Sequence, residues 1–71
     1  MAPGSQARAR ARRERILDAA LAIFTTRGYH DAAMDEIAAE AATSKGGLYF
    51  HFPNKQAIFL ALIDRLGTQL L

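Results

Sequence analysis

Apolar residues recur along this chain at helical spacing, in four blocks separated by turn-forming residues. In the first block, apolar side chains at positions i, i+3, i+4 and i+7 share one helix face; they are Leu17, Ala20, Leu21 and Phe24. Gly28 follows at the place where a helix C-terminus favours left-handed backbone. We therefore predict a first helix over residues 10–27, after a disordered arm over residues 1–9.

Two further helices are predicted close together, with a short turn between them. The same apolar spacing predicts helix 2 over about 34–41, from Met34, Ile37, Ala38 and Ala41. Asp35 and Glu36 lie in its first turn, where the helix dipole favours negative charge. Ser44 is a good N-cap for a compact helix 3 over about 45–51, whose inward pair is Leu48 and Phe52.

A fourth helix follows a proline. Pro53 ends helix 3, because proline disfavours helical backbone in the residue before it. Asn54 then caps helix 4, over 55–71, whose apolar stripe is broad: Ile58, Phe59, Leu62, Ile63, Leu66 and Leu70. Three short helices cannot cover this stripe, so we expect either a fragment of a longer protein or a stripe that meets another chain.

Two short helices about three residues apart are typical of a helix-turn-helix. The predicted fold class is therefore all-α: a three-helix, homeodomain-like bundle over 10–54, with the helix-turn-helix at about 34–52 and the start of helix 4 over 55–71. A major groove about 12 Å wide admits one helix, which must turn polar or small residues outward. Helix 3 has such residues in Lys45, Gly46, Gly47, Tyr49 and His51. On these residues alone, the glycines can equally be loop residues before a one-turn helix.

Charge is distributed unevenly along the chain. The net charge is +2, but residues 1–15 carry +4 and the remainder −2. A basic arm on a mildly acidic body indicates a polyanionic partner; its arginines are Arg8, Arg10, Arg12 and Arg13. A solubilising terminus and an Arg-rich transit peptide are the alternatives.

Several classes of function lack support in the sequence. There is no cysteine, so disulfides and thiolate metal sites are excluded. His30 and His51 have no metal-ligand spacing, and no nucleophile–base pair or cofactor fingerprint is present. Asp35 and Glu36 are adjacent on a helix and point apart by about 100°, which argues against paired acid–base catalysis. We expect neither an enzyme, a metal nor a cofactor.

The stretch from Thr43 to Lys55, T-S-K-G-G-L-Y-F-H-F-P-N-K, closely resembles V-S-K-G-T-L-Y-x-H-F-x-x-K, the signature of TetR-type (tetracycline-repressor-like) transcriptional regulators. Segments 15–20, 27–29 and 35–38 and Phe24 also match, so the resemblance covers about residues 11–71. It implies the N-terminal DNA-binding domain of a ligand-releasable repressor in the bacterial cytoplasm, associated with the nucleoid. A palindromic double-stranded operator is implied, with homodimerisation and an unknown small-molecule inducer assigned to a C-terminal domain beyond this sequence.

The resemblance also implies which residues contact DNA: Ala33, Met34, Ser44, Lys45, Gly46, Gly47, Tyr49, Phe50, His51 and Lys55. Lys45 would contact a base or a phosphate, and Gly47 stands where relatives often have Thr, Ser or Ala. Tyr49 and His51 would donate to phosphates, although Tyr49 can also lean on helix 1, and His51 can serve as a packing or capping residue.

Three more roles are implied by the same resemblance. Phe50 would pack on a thymine methyl or a sugar, and Lys55 would pair with a phosphate. The arm's arginines would add salt-dependent affinity, reaching an adjacent groove.

The sequence departs from the family at three positions. Ala32 and Ala33 replace the usual Thr or Ser at the start of helix 2, so a cap worth about 1 kcal/mol is missing unless Asp31 caps an earlier start. Ala42 replaces a usual glycine, which costs about 1 kcal/mol if that position needs positive φ. Thr43 replaces a common valine.

Two other classes of function are alternatives to DNA binding. Helix 1 can be an amphipathic element that lies on an anionic membrane, although Gly28, Ser44 and Pro53 provide turns that such a helix does not need. A fragment that docks helix 4 on a protein partner is the other alternative. It would leave the segment from Lys45 to Lys55 without a role.

Overall fold

The structure, a computed structural model, describes residues 3–70 except the side chains of 3, 5, 69 and 70. The chain order is α1 (Pro3–Arg27), α2 (Met34–Glu40), α3 (Lys45–His51) and α4 (Lys55–Leu70). No strand occurs within this part of the chain, so the predicted all-α class is confirmed. The predicted bounds of helices 2, 3 and 4 agree with the structure to within one residue where it describes them.

Helix α1 begins seven residues before the predicted start at residue 10, and the prediction of a disordered arm is wrong from Pro3 onward. Residues 1–2 lie outside the described residues. Residues 6–9 are Gln, Ala, Arg and Ala, which are strong helix formers, and proline is well tolerated in a first turn. Arg8 Nε also donates to the Gly4 carbonyl at 3.2 Å. The arginines of the arm therefore stand on a helix.

The core lies where α1, α2 and α4 meet the inner face of α3. Its largest fully buried side chains come from all four helices: Ile16, Leu17, Ile37, Leu48 and Ile58. Burial of each contributes about 1.5–3 kcal/mol to folding. Phe52 is also buried, so the predicted inward pair of helix 3 is confirmed. Leu21 differs, since it lies outside the buried core and is half exposed.

Left-handed residues end the first two helices. Gly28 has φ of 86°, as predicted, and its N–H donates to the Phe24 carbonyl at 2.9 Å. Ala42 has φ of 54°, so this position does require positive φ. Its N–H donates to Ala39 O at 3.1 Å while Thr43 N–H donates to Ala38 O at 3.0 Å, which is a Schellman motif. Ala42 thus makes the turn between α2 and α3 at a steric cost.

Helix α2 starts without a side-chain N-cap. Ala33 is the N-cap residue, and its N–H donates to Glu36 Oε1 at 3.3 Å. Asp31 lies in the preceding turn and does not begin the helix, so the suggested earlier start is wrong. Arg27 Nε lies 2.6 Å from Glu36 Oε2, which ties the end of α1 to the start of α2.

Helix α4 is fastened to α1 at one side and leaves an apolar groove at the other. Arg65 Nη1 donates to Asp18 Oδ1 and Nη2 to Glu14 Oε1, both at 2.9 Å. The groove, of about 490 Å³, is lined by Leu21, Phe24, Thr25, Tyr29, Phe59, Leu62, Ile63, Arg65 and Leu66. The expectation that the other helices leave much of the α4 stripe uncovered is confirmed for Phe59, Ile63 and Leu66. None of the described helices has the length and hydropathy needed to cross a membrane.

Candidate nucleic-acid interface

Helices α2 and α3 form a helix-turn-helix whose second helix is anchored by its inner face. Ser44 caps α3, as predicted, because its Oγ accepts from Gly47 N–H at 3.0 Å. Leu48 is fully buried beneath α3. On the outer face, 47% of Tyr49 and 77% of Phe50 are exposed. An exposed aromatic pair on a rigid, capped helix is suited to contact with DNA sugars, phosphates and thymine methyl groups.

The first residues of α3 form the part that would approach DNA first. Lys45 Nζ lies 3.3 Å from Asp35 Oδ1, and both side chains are about two-thirds exposed. Such a surface ion pair is weak, so the ammonium can exchange the carboxylate for a phosphate or a base. A Cβ added at Gly46 would find only Ser44 Oγ, at 3.9 Å. The backbone at Gly46 is therefore open to close approach.

Gly47 is crowded where Gly46 is open. A Cβ added at Gly47 would overlap Thr43 Oγ1, lie 3.3 Å from Ser44 Oγ and lie 3.6 Å from Arg12 Cδ. The space that a Cβ would use at this position is taken by the side-chain hydroxyls of Thr43 and Ser44.

His51 is half-buried at the end of α3, and its Nε2 is buried without a hydrogen-bond partner among the described residues. Burial lowers the pKa of His51 below its ordinary value near 6.5, and the charges of Arg12 and Arg13 lower it further. The guanidinium of Arg13 lies 5.2 Å from the centre of the Phe52 ring. The predicted phosphate contact by His51 is not available through Nε2 in this arrangement, which fits the packing alternative better.

Lys55 is placed differently from its predicted phosphate contact. Its Nζ donates to the carbonyl oxygens of Tyr29 at 2.7 Å, His30 at 3.0 Å and Ala32 at 3.0 Å. An ammonium has three N–H donors, so these carbonyls use all of them. A phosphate would have to displace a carbonyl. In this structure Lys55 holds the loop before α2, and its phosphate contact stays a prediction. Sequence reasoning missed this contact because it joins residues more than twenty positions apart.

The start of α2 offers DNA little beyond its backbone. Ala33 is exposed and has no polar side chain, while Met34 is half-buried against the core. The contacts expected of Ala33 and Met34 are therefore limited to backbone and apolar groups.

The predicted basic arm is the first half of α1, and its residues differ in environment. Arg8, Arg10 and Arg13 are exposed, whereas Arg12 is half-buried. Arg12 and Arg13 lie beside α3, since both influence His51. In the described residues, His, Asp and Glu side chains form no cluster of three that could hold a metal ion.

Helix α3 is capped, has an exposed aromatic and basic face, follows the short helix α2 after a tight turn, and has arginines of α1 beside it. This arrangement defines the helix-turn-helix class of DNA-binding domains. The family described as bacterial regulatory proteins, tetR family, matches residues 16–62, which is more than half of the chain. The chain belongs to this family, and it forms the N-terminal DNA-binding domain of such a regulator. The resemblance stated from the sequence is thus confirmed.

Several curated proteins are similar to this chain over most of its length. The transcriptional activator FasR of Mycolicibacterium smegmatis is 50% identical over 54 residues, which cover 76% of this chain and 25% of FasR. The A-factor receptor protein of Streptomyces griseus is 48% identical over 59 residues, covering 83% of this chain and 21% of the receptor. The uncharacterised regulator TtgW of Pseudomonas putida is 40% identical over 63 residues, 89% of this chain and 47% of TtgW. This chain spans between about a fifth and a half of these relatives, and no solved structure matches it significantly.

Proposed function

We propose that this chain binds double-stranded DNA sequence-specifically, with α3 in the major groove, as the head of a transcriptional regulator. The observation that carries the proposal is the outer face of α3, where Lys45, Tyr49 and Phe50 are exposed on a helix that buried Leu48 holds in place.

Each outward residue has a role suited to its chemistry. The Lys45 ammonium contacts a base edge or a phosphate at the entry of α3, and Gly46 lets the backbone approach closely. The Tyr49 hydroxyl donates to a phosphate, which positions the helix without reading sequence. Phe50 packs on a thymine methyl group, an apolar mark that the major groove displays only at A·T pairs. Ser44 supports these contacts by capping the helix.

The arginines of α1 supply affinity that depends on salt. Exposed guanidinium groups release counterions when they meet phosphates, so binding weakens as the salt concentration rises. Their place on a helix directs them along the DNA backbone, in contrast to the flexible arm predicted from the sequence.

The regulatory part of the proposal extends beyond the described residues. We infer that the longer protein is a homodimer that binds a palindromic operator in the bacterial cytoplasm, at the nucleoid, and is released by a small-molecule inducer. The Streptomyces griseus relative is named a receptor, which supports ligand control. The Mycolicibacterium smegmatis relative is named an activator, so repression is the direction we propose and must be measured separately.

Selection of binding sites from random duplexes tests the proposal. The 71-residue chain is immobilised densely on beads, and bound duplexes are sequenced after washes at low and at moderate salt. Enrichment of a common half-site at both salts supports sequence-specific binding. Salt-sensitive retention without an enriched sequence would indicate that only the arginines of α1 contact the DNA, through its phosphates. No retention at either salt contradicts the proposal and favours a membrane-surface or protein-docking module.

A further inference from the structure

Arg12 lies across the start of the recognition helix, although it belongs to α1. Its Cδ would be 3.6 Å from a Cβ placed on Gly47, which is ordinary van der Waals contact. Gly47 is the third residue of α3, on the turn that Ser44 caps. Thr43 Oγ1 and Ser44 Oγ lie nearer to that position, and Arg12 is the neighbour there that comes from another helix.

The environment of Arg12 separates it from the neighbouring arginines. Arg12 is half-buried, whereas Arg10, two residues earlier on the same helix, is exposed. The pKa of His51, at the other end of α3, is lowered mainly by burial and further by the charge of Arg12. The stem of Arg12 is thus packed beside Gly47 of α3.

An arginine held in this way differs from one on a flexible arm. Its guanidinium is a planar fork of N–H donors, which matches the O6 and N7 acceptors of guanine in the major groove. Packing of the stem restricts the conformations of the side chain before DNA arrives, so less entropy is lost on contact. Because Gly47 has no side chain, no group of α3 at that position competes for the same base pair.

We propose that Arg12 is a specificity-determining residue of the DNA-binding surface, and that it reads guanine at the base pair that faces Gly47. This inference rests on the proposed function and deepens it. It replaces the expectation that Arg12 acts with the other arginines as a source of sequence-independent affinity.

The test measures affinity of the 71-residue chain for its selected duplex and for duplexes substituted at each base pair in turn. Arg12→Ala should lose about 5- to 150-fold of discrimination at one G·C pair, the range that one bidentate contact supplies. Discrimination at the other pairs should remain. The matched control is Arg10→Ala, which removes the same charge from the same helix and should weaken binding to all these duplexes by one common factor.

A second variant distinguishes the loss of a DNA contact from a loss of folding. Arg12→Gln retains an aliphatic stem over Gly47 and presents an amide, which pairs with adenine. The unfolding temperature of Arg12→Gln should equal that of the wild-type chain. Its base preference at that same pair should move from guanine towards adenine. If both Arg12 variants weaken binding uniformly, as Arg10→Ala does, Arg12 contacts phosphate only and the proposal is overturned. A wild-type chain that enriches no sequence would overturn the proposed function as well.

Discussion

Lys55 contacts Tyr29 in two ways in this structure, through a hydrogen bond and through a cation–π contact. The Lys55 ammonium donates to the Tyr29 carbonyl oxygen at 2.7 Å and lies 4.7 Å from the centre of the Tyr29 ring. The same ring contacts Phe24 and Phe59, at centroid distances of 5.3 and 5.2 Å. The first residue of α4 therefore holds the loop between α1 and α2 from both its backbone and its aromatic side.

Removal of this ammonium should destabilise the domain. Lys55→Ala leaves three carbonyl groups without their donor, and we expect the free energy of unfolding to fall by roughly 1–3 kcal/mol. Urea unfolding followed by circular dichroism measures the change. Lys45→Ala is the matched control, because its exposed ion pair with Asp35 is worth about 0–1 kcal/mol. Equal effects of the two substitutions on stability would contradict the structural role of Lys55.

Ala42→Gly should stabilise the domain. Left-handed backbone costs alanine about 1–2 kcal/mol, and glycine removes this cost. Glycine also loses more conformational entropy on folding, which costs about 0.5–1 kcal/mol. We therefore expect the free energy of unfolding to rise by about 0.5–1 kcal/mol. Thermal unfolding measures it. Ala39→Gly, on the exposed side of α2, is the control and should destabilise by up to about 1 kcal/mol. A loss of stability in Ala42→Gly would show that the turn does not need positive φ.

The two glycines of α3 should respond differently to alanine. Gly46→Ala meets open space and should raise the free energy of unfolding by a few tenths to about 1 kcal/mol. Gly47→Ala must displace the Thr43 hydroxyl and crowd Ser44 Oγ, so it should gain nothing or lose stability. Parallel urea titrations of both variants compare them. Gly46→Ala should also weaken DNA binding, and unchanged affinity would show that the backbone there does not approach DNA closely.

His51 should make stability fall in mildly acidic solution. Because its pKa is lowered in the folded state, the unfolded chain takes up the proton first as the pH drops through about 6.5. The free energy of unfolding is then reduced until the pH passes the lower, folded-state pKa. His51→Gln removes this contribution and should flatten the profile between pH 7 and pH 5, while His30→Gln serves as the matched control. A wild-type profile equal to that of His51→Gln would contradict the prediction.

Local signals in the sequence were enough to predict most of the fold. Helical spacing of apolar residues predicted α2. The capping residues Ser44 and Asn54 predicted the starts of α3 and α4, and in the structure Ser44 Oγ and Asn54 Oδ1 accept the expected N–H bonds. The start of α1 was missed because Pro3, Gly4 and Ser5 are typical of a disordered terminus and the first turns lack the apolar spacing that was sought.

The candidate site was less predictable than the fold. Helix geometry placed Tyr49 on the outer face of α3, and the family resemblance implied the same for Phe50; both side chains are exposed. The contacts of Arg12 with Gly47 and of Lys55 with Tyr29 join residues 35 and 26 positions apart. Such contacts depend on how the helices pack, which hydrophobic spacing in one sequence does not specify.

The continuity of α1 links two surfaces that are otherwise unrelated. Its 25 residues extend about 37 Å, with Arg12 towards one end, Phe24 of the apolar groove towards the other, and buried Leu17 between them. Phe24 lies about 10 Å along the axis from Leu17, and Arg12 about 7.5 Å on the opposite side. Because α1 is one unbroken helix, the groove wall at Phe24 and the Arg12 stem beside Gly47 are parts of the same element, and neither can be re-oriented as a whole without the other.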